Sequence, residues 1–452
     1  RGALGAALAF TIIPSGIRSF IGNASISRLA ALGWNPVNRY NTPITVGGGV
    51  NEIILINIAG DDRPGVTSSI TGILADHGVN ILDIGQAVIH DNLALGLLVE
   101  VPASAEAASI LKDILFRTHE MQMQVRFLPV SPESYNQWVT GQGKQRHIVT
   151  LLARKITGRH IASVTDIVSR YELNIDRIDR LSGRVPLEGV AQQSKACVEL
   201  SVRGNLVDAS DFRRELLHLA SELDIDIAYQ EDNMFRRTRR LVAFDMDSTL
   251  IEAEVIDELA KAAGVGDQVA EITERAMRGE IDFTESFKAR VALLKGLDES
   301  VLEGIAASLK ITEGAEKLVS TLKQLGYKTA ILSGGFSYFG QYLQQKLGID
   351  YVYANELVIR DGRVTGEVEG IVVDGQRKAE LLRDIAQREG LNLEQVIAVG
   401  DGANDLPMLS IAGLGIAFRA KPIVRENAKQ SISTLGLDGI LYLLGISDRH
   451  TN

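Results

Sequence analysis

Leu241-Val-Ala-Phe-Asp-Met-Asp-Ser-Thr249 is an apolar run that breaks into two carboxylates one residue apart and then two hydroxyls. A short buried strand that delivers paired acids into a loop works against stability, because buried charges must be paired or must bind a metal. It serves chemistry well: one carboxylate can attack an electrophile, its neighbour can shuttle a proton, and a divalent cation can hold both. Spacing alone decides little, since Asp224-Ile-Asp226 repeats it without the hydroxyl pair. The residues downstream decide it.

From Arg240 onward, short apolar runs at 241–245, 328–333, 351–353, 396–400 and 414–418 alternate with helical segments, the pattern of a parallel, doubly wound α/β sheet. Ligands of such sheets bind beyond the carboxyl ends of the strands, and each unusual residue falls there. Asp245 and Asp247 end the first strand. Ser333-Gly-Gly-Phe336 ends the next, offering a hydroxyl and close backbone N–H groups to phosphate oxygens, although Ser-Gly-Gly alone reads as a plain turn. Lys378 opens a helix after Asp374-Gly375; it is either a surface lysine or the cation that neutralises a transferring phosphoryl group. Gly400-Asp-Gly-Ala-Asn-Asp405 sets acidic and amide side chains among glycines, a site for a hard cation such as Mg²⁺. No Gly-x-x-x-x-Gly-Lys-Ser/Thr occurs, and all seven histidines lie outside 241–449. An aspartyl-phosphate route is left.

Asp245-Met-Asp-Ser-Thr249, Ser333, Lys378 and Gly400-Asp-Gly-Ala-Asn-Asp405 resemble the four motifs of the haloacid dehalogenase-like phosphatases, in order, over about residues 241–445. P-type ATPases share the last motif but carry a lysine after the nucleophile and membrane helices, both missing here. The insertion after the first strand is expected to be helical at 254–263, 267–278, 282–294 and 300–308, a small cap over about 252–312 that excludes water and supplies specificity. Its polar residues resemble those of the phosphoserine phosphatase family, where Glu254, Met277, Phe283 and Arg290 match substrate-contact positions. The chemistry agrees, because phosphoserine has an ammonium that wants a carboxylate and a carboxylate that wants a guanidinium fork.

The resemblance implies Mg²⁺ held by Asp245, the backbone carbonyl of Asp247, and Asp401. It makes Asp245 the nucleophile and Asp247 the general acid and then base. Ser333, the Gly334 N–H and Lys378 would hold the phosphoryl oxygens, with Asn404 assisting and Asp405 orienting Lys378. The implied activity is hydrolysis of O-phospho-L-serine, the last step of serine biosynthesis. Hydrolysis or phosphotransfer on another small phosphorylated metabolite is the alternative.

Upstream, 53–59 reads as a strand, 64–77 as a helix, 79–89 and 93–101 as a hairpin around Asp91-Asn92, 104–118 as a helix and 121–130 as a strand. That is a ferredoxin-like α+β unit over 51–130. The order returns over 146–230, with Val79-Asn-Ile81 matched by Leu173-Asn-Ile175. A polar linker is expected at 131–146, and Arg236-Arg-Thr-Arg-Arg240 reads as a solvated hinge before the hydrolase-like segment at 240–450. Both units resemble ACT domains, small modules that bind amino acids. Asp61-Asp-Arg-Pro-Gly65 resembles that family's ligand loop, with Gly65 admitting a ligand to the backbone. Lys155-Ile-Thr-Gly158 keeps Gly158 but lacks Asp-Arg-Pro. The resemblance implies serine or another amino acid as regulator, and a homodimer.

At 452 residues the chain exceeds what one core supports. A formal charge of −10 argues against non-specific nucleic-acid binding. The single cysteine, Cys197, excludes a disulfide framework and reads as a buried apolar residue. No stretch is long and apolar enough for a membrane span. Residues 1–50 carry four arginines and no Lys, Asp or Glu. They read as a disordered extension, with a cytoplasmic protein, or as an organellar transit peptide.

Overall fold

The computed structural model describes residues 51–184 and 194–451; the expected basic leader at 1–50 lies outside them. The chain divides after Gln142 into two units.

In the first unit, β1 (Glu52–Asp61), β2 (Asn80–Ile89), β3 (Asn92–Val101) and β4 (Gln124–Val130) form an antiparallel sheet in the order β2-β3-β1-β4. Alternate residues of β1 (Ile54, Ile56, Ile58) and β3 (Leu93, Leu95, Leu97, Val99) share one core with helices Val66–Asp76 and Ala107–Glu120. The segment expected as an irregular linker holds a helix, Pro132–Gly141, that buries none of its residues. Ser131 accepts the Ser134 N–H and Pro132 opens the first turn, so the polar composition marks an exposed, well-capped helix.

The second unit opens with a repeat of this order: β5 (Arg146–Ala153), β6 (Asn174–Arg180), β7 (Ala196–Arg203) and β8 (Asp226–Glu231), ordered β6-β7-β5-β8, with helices Gly158–Arg170 and Ala209–Leu223. Cys197 is buried in β7. A seven-stranded sheet follows. Its strands β9 (Leu241–Phe244), β10 (Lys328–Phe336), β11 (Tyr351–Arg360), β12 (Arg363–Glu369), β13 (Val396–Gly400), β14 (Leu414–Phe418) and β15 (Gln430–Ile432) run in the order β12-β11-β10-β9-β13-β14-β15. All of β9 is buried, between parallel partners on both sides.

The sheet is not wholly parallel. β11 continues past the expected 351–353 and turns at Asp361-Gly362, both at positive φ, into antiparallel β12. β15 is short and polar, and no apolar run marked it. The insertion between β9 and β10 folds into helices Val255–Ala262, Gly266–Met277, Phe283–Ala292 and Ser300–Ser308.

Arg236 and Arg239, expected in a solvated hinge, are buried. Arg236 donates to Glu199 at 2.6 Å across the ferredoxin-like sheet, and burial together with the Arg236 charge pushes Arg239 down to about 10. The hinge is part of a packed seam. Asp226, the residue that shared the Asp-x-Asp spacing, is buried in the same seam. It accepts from the N–H of Ser433 (2.8 Å) and the N–H and hydroxyl of Thr434 (2.8 and 2.7 Å). Asp226→Ala would strand three part-buried donors, and an unpaired donor costs up to about 1–3 kcal/mol where it is buried. A loss of about 3 kcal/mol in denaturant unfolding is expected; an unchanged midpoint would contradict this account of the seam.

Candidate active site

The apolar strand β9 ends at the sheet's centre, and its continuation carries Asp245, whose N–H donates to the Val399 carbonyl of β13 at 2.8 Å. Neighbouring strand ends bring the other special residues to the same edge. Lys378, in the first turn of helix Gly375–Arg388, is completely buried and donates at 2.7 Å to both Asp245 and Asp405. It is no surface lysine. Asp374 caps that helix through the Arg377 N–H, and Asp405 accepts the Gly402 N–H at 2.9 Å. Ser333 points at Asp247 at 3.4 Å, and Asp247 also accepts the Val255 N–H at 2.8 Å. A Cβ on Gly335 would lie 2.5 Å from Asp247 Oδ2, so only glycine lets this loop pass the second carboxylate.

Asp245, Asp247, Ser333, Lys378, Asp401 and Asp405 therefore lie in one linked cluster. Asp245, Asp401 and Asp405 can each present an oxygen within 4.8 Å of the others. Four carboxylates share this pocket with one ammonium, and their charges are not balanced. Burial, together with repulsion from Asp405, pushes Asp245 well above the usual carboxylate range despite Lys378. Burial and Glu254 push Asp247 to about 7; burial, Asp405 and Glu254 do the same to Asp401. Burial alone would lower Lys378, but its two carboxylate partners outweigh it and hold the ammonium charged. An excess of desolvated carboxylate oxygen suits a hard divalent cation.

The cap residues stand over this cluster. Glu254 accepts the Ser248 hydroxyl at 2.7 Å, and Ser248 reaches it from a left-handed conformation (φ 55°) inside the catalytic turn. Arg290 lies half-buried, with Asp257, Glu254 and Asp247 acting on its charge. Its Nε donates to the Ser286 carbonyl at 3.4 Å, and among the described residues it forms no ion pair. Phe283 approaches Gly334 so closely that a Cβ there would lie 3.0 Å from its ring, and it stacks on Phe287. Asn404 sits in the β13 loop, its Oδ1 leaving no room for a Cβ on Gly402. Met277 ends a cap helix, and its side chain lies outside the described residues. Asn355 was not singled out in the sequence. It is buried, donates to the Gly334 carbonyl at 2.8 Å and accepts the Val373 N–H at 2.8 Å, tying the Ser333 loop to the segment that leads into Lys378. A buried asparagine within a strand, one residue past a glycine-rich strand end in the pairing register, was its only signal.

The two glycines expected in ligand loops differ. Gly65 precedes helix Val66–Asp76 with φ 96°, a conformation that favours glycine. Gly158 begins its helix behind a Thr157–His160 capping box, without that requirement.

Carboxylates held near 7 take up protons in the folded state that unfolded carboxylates, with pKa about 4, release. The fold is therefore penalised progressively as pH rises from about 4 through 7, and a divalent cation bound to the ionised groups would offset this. Millimolar Mg²⁺ is expected to raise the apparent melting temperature more at about pH 8 than at about pH 5.5; equal shifts would contradict the coupling.

The chain matches the haloacid dehalogenase-like hydrolase family over residues 239–413 and the ACT domain family twice, over 52–128 and 145–230. It is 41% identical to the phosphoserine phosphatase of Streptomyces coelicolor, over 87% of this chain and 92% of that one. With the phosphoserine phosphatase SerB2 of Mycobacterium tuberculosis it shares 40% identity over 87% and 93% of the two chains. Among solved structures it is similar to a probable phosphoserine phosphatase from Vibrio cholerae, in unliganded form. There the TM-score is 0.53 and the identity 35%, covering 66% of this chain and 86% of that one. The chain belongs to the phosphoserine phosphatases of the haloacid dehalogenase-like hydrolases, in the long form that carries two ACT domains before the hydrolase domain.

Proposed function

We propose that the chain hydrolyses O-phospho-L-serine through a phosphoryl ester on Asp245, with Mg²⁺ as cofactor, as the last step of serine biosynthesis. The observation that carries this reading is the buried Lys378, paired at once with Asp245 and Asp405 at the end of the central strand. In the cap, Glu254 takes the substrate ammonium and Arg290 its carboxylate, while Phe283 and Met277 match the family's remaining substrate-contact positions. Arg290 is half-buried and not committed to a carboxylate of the described residues, as a group awaiting one would be.

Ser333 Oγ, the Gly334 N–H and the Lys378 ammonium hold the phosphoryl oxygens, with Asn404 assisting, and Asp405 keeps Lys378 in place. An Asp245 oxygen forms a bond to phosphorus as the bond to the serine oxygen breaks, and Asp247 gives its proton to that oxygen. Asp247 then takes a proton from a water whose oxygen attacks phosphorus, which frees phosphate and restores Asp245. A carboxyl held near 7 suits both halves of this cycle. Asp245, the Asp247 carbonyl and Asp401 would hold Mg²⁺, which when bound stabilises charge on the transferring group.

Regulation belongs to the first ACT domain in this reading: serine or another amino acid would bind at the Asp61–Gly65 loop, where Gly65 leaves backbone N–H groups approachable. Ile81, Ile84, Val88 and Ile89 are exposed on β2, which favours a homodimer through that domain. No helix of the described residues is long and apolar enough to cross a membrane. We assign the protein to the cytoplasm, and to an organelle if residues 1–50 act as a transit peptide.

Asp245→Asn is expected to abolish phosphate release from phospho-L-serine without changing the fold by circular dichroism; retained turnover would overturn the nucleophile assignment. Arg290→Ala should raise KM for phospho-L-serine about 10–100-fold, the worth of a charge-assisted fork, while leaving an aryl phosphate without a carboxylate little affected. Equal losses on both esters would remove Arg290 from substrate recognition. Serine should alter kcat/KM about 5–150-fold in the unaltered chain and far less in Gly65→Ala; identical sensitivity in both would place the regulator elsewhere.

A further inference from the structure

The cap leaves the hydrolase core at residues 250–252 and returns at 310–312. These crossings form a short two-stranded hinge: Ile251 bridges Ile311, the Glu252 N–H donates to the Lys310 carbonyl at 2.9 Å, and the Thr312 N–H donates to the Leu250 carbonyl at 3.0 Å. The hinge begins immediately after the catalytic turn's Thr249, which donates to Asp401 at 3.3 Å, and its first strand ends two residues before Glu254. Any cap movement must bend it.

The first hinge strand ends in Glu252 and Glu313 directly follows the second, and both glutamates are held from outside the cap. Glu313 receives a two-pronged pair from Arg154, at 2.9 and 2.7 Å, and a further bond from Arg419 at 3.0 Å. The same Arg419 reaches Glu252 at 3.6 Å, and Lys310 pairs with Glu252 across the hinge. Arg419 does this from a left-handed backbone (φ 45°) just past β14, with its N–H on the Ile432 carbonyl at 2.8 Å. An arginine gains nothing locally from that conformation, which residues with a Cβ adopt only at a cost. Its gain is the position of the guanidinium between two acids.

Arg154 belongs to the second ACT domain. It follows β5 and starts the stretch Arg154–Gly158, which occupies the place that the Asp61–Gly65 loop occupies in the first repeat. Where the first repeat opens a glycine loop, the second sends an arginine to the base of the cap. Lys195 strengthens the same contact by pairing with buried Asp438, which packs against Gly314 beside Glu313.

We propose that Arg154, Glu313 and Arg419 are positioning residues for the phosphatase reaction: an ion-pair chain by which the second ACT domain holds the cap hinge in register with the catalytic turn. The chain does not touch the reacting atoms. It acts on how far and how often the cap closes, a step that gates turnover in capped enzymes. Isolated exposed pairs are weak, but here both arginines and both glutamates are partly buried, one pair is a two-pronged fork, and Arg154, Arg419 and the exposed Lys310 share two acids. The proposal rests on the reading of residues 252–312 as a substrate-gating cap, and its test separates the two.

The test uses the full chain with Arg154→Ala, Arg154→Lys, Glu313→Gln and Arg419→Ala. Hydrogen exchange at the hinge amides of Glu252 and Thr312 is measured without substrate, alongside kinetics with phospho-L-serine and with an aryl phosphate. Arg154→Ala and Glu313→Gln should speed hinge exchange about fivefold and lower kcat for phospho-L-serine by a similar factor, with Arg154→Lys recovering part of both. The Arg154→Ala, Glu313→Gln double variant should be no worse than either alone. Unchanged hinge exchange would overturn the proposal whatever the kinetics. Faster exchange with unchanged kcat on both esters would leave the contact intact and overturn the gating reading of the cap. Equal slowing of both esters with a lowered unfolding midpoint would reduce these residues to structural ones, which also overturns the proposal.

Discussion

Lys378 carries its ammonium into a completely buried position, and an unpaired cation could not remain there. Asp245 from the central strand and Asp405 from the β13 loop satisfy it from two sides, so one side chain sets the relative position of three elements. The helix that carries Lys378 is fixed in turn by its Asp374 cap and by Asn355, which ties its approach to the Ser333 loop. Removing the lysine would leave two desolvated acids face to face. The same pairing opposes the burial and the Asp405 repulsion that push Asp245 toward its protonated form.

The rest of the pocket works against that balance on purpose. One ammonium cannot neutralise four carboxylates, and the residual negative charge is what would draw a divalent cation and then a phosphate ester into the same small volume. The apolar strands supply rigidity: Asp245 and Asp401 lie just past strand ends, Ser333 sits near the end of its strand, and Lys378 sits in the first turn of a helix. In the proposed reading specificity is delegated to the cap, whose Glu254 accepts the Ser248 hydroxyl from the turn after β9.

Much of this could be read from residues alone. Asp245, Ser333, Lys378 and Asp401 each follow an apolar run or open a helix, so local pattern gives both their element and their edge of the sheet. Asn355 could not be read, because its role depends on Gly334 and Val373, which reach it only in the fold. The charge of Arg236 and Arg239 suggests exposure, yet Glu199, 37 residues away from Arg236, lets that arginine be buried. β12 escaped because half-buried alternation and an Asp-Gly turn announce a hairpin without any continuous apolar run. The repeat of the ACT pattern was legible as a duplication, but the divergence of its second loop into a contact with the cap hinge required Glu313 and Arg419 to be seen in space.

The most direct test of the account is chemical capture of the covalent species. The enzyme turning over phospho-L-serine with Mg²⁺ would be quenched, reduced with borohydride and mapped by peptide mass spectrometry. An acyl phosphate on a carboxylate is reduced to an alcohol, so homoserine at position 245, dependent on substrate, is the predicted result. An unreduced aspartate at 245, or reduction at another acid, would contradict the central role given to Asp245.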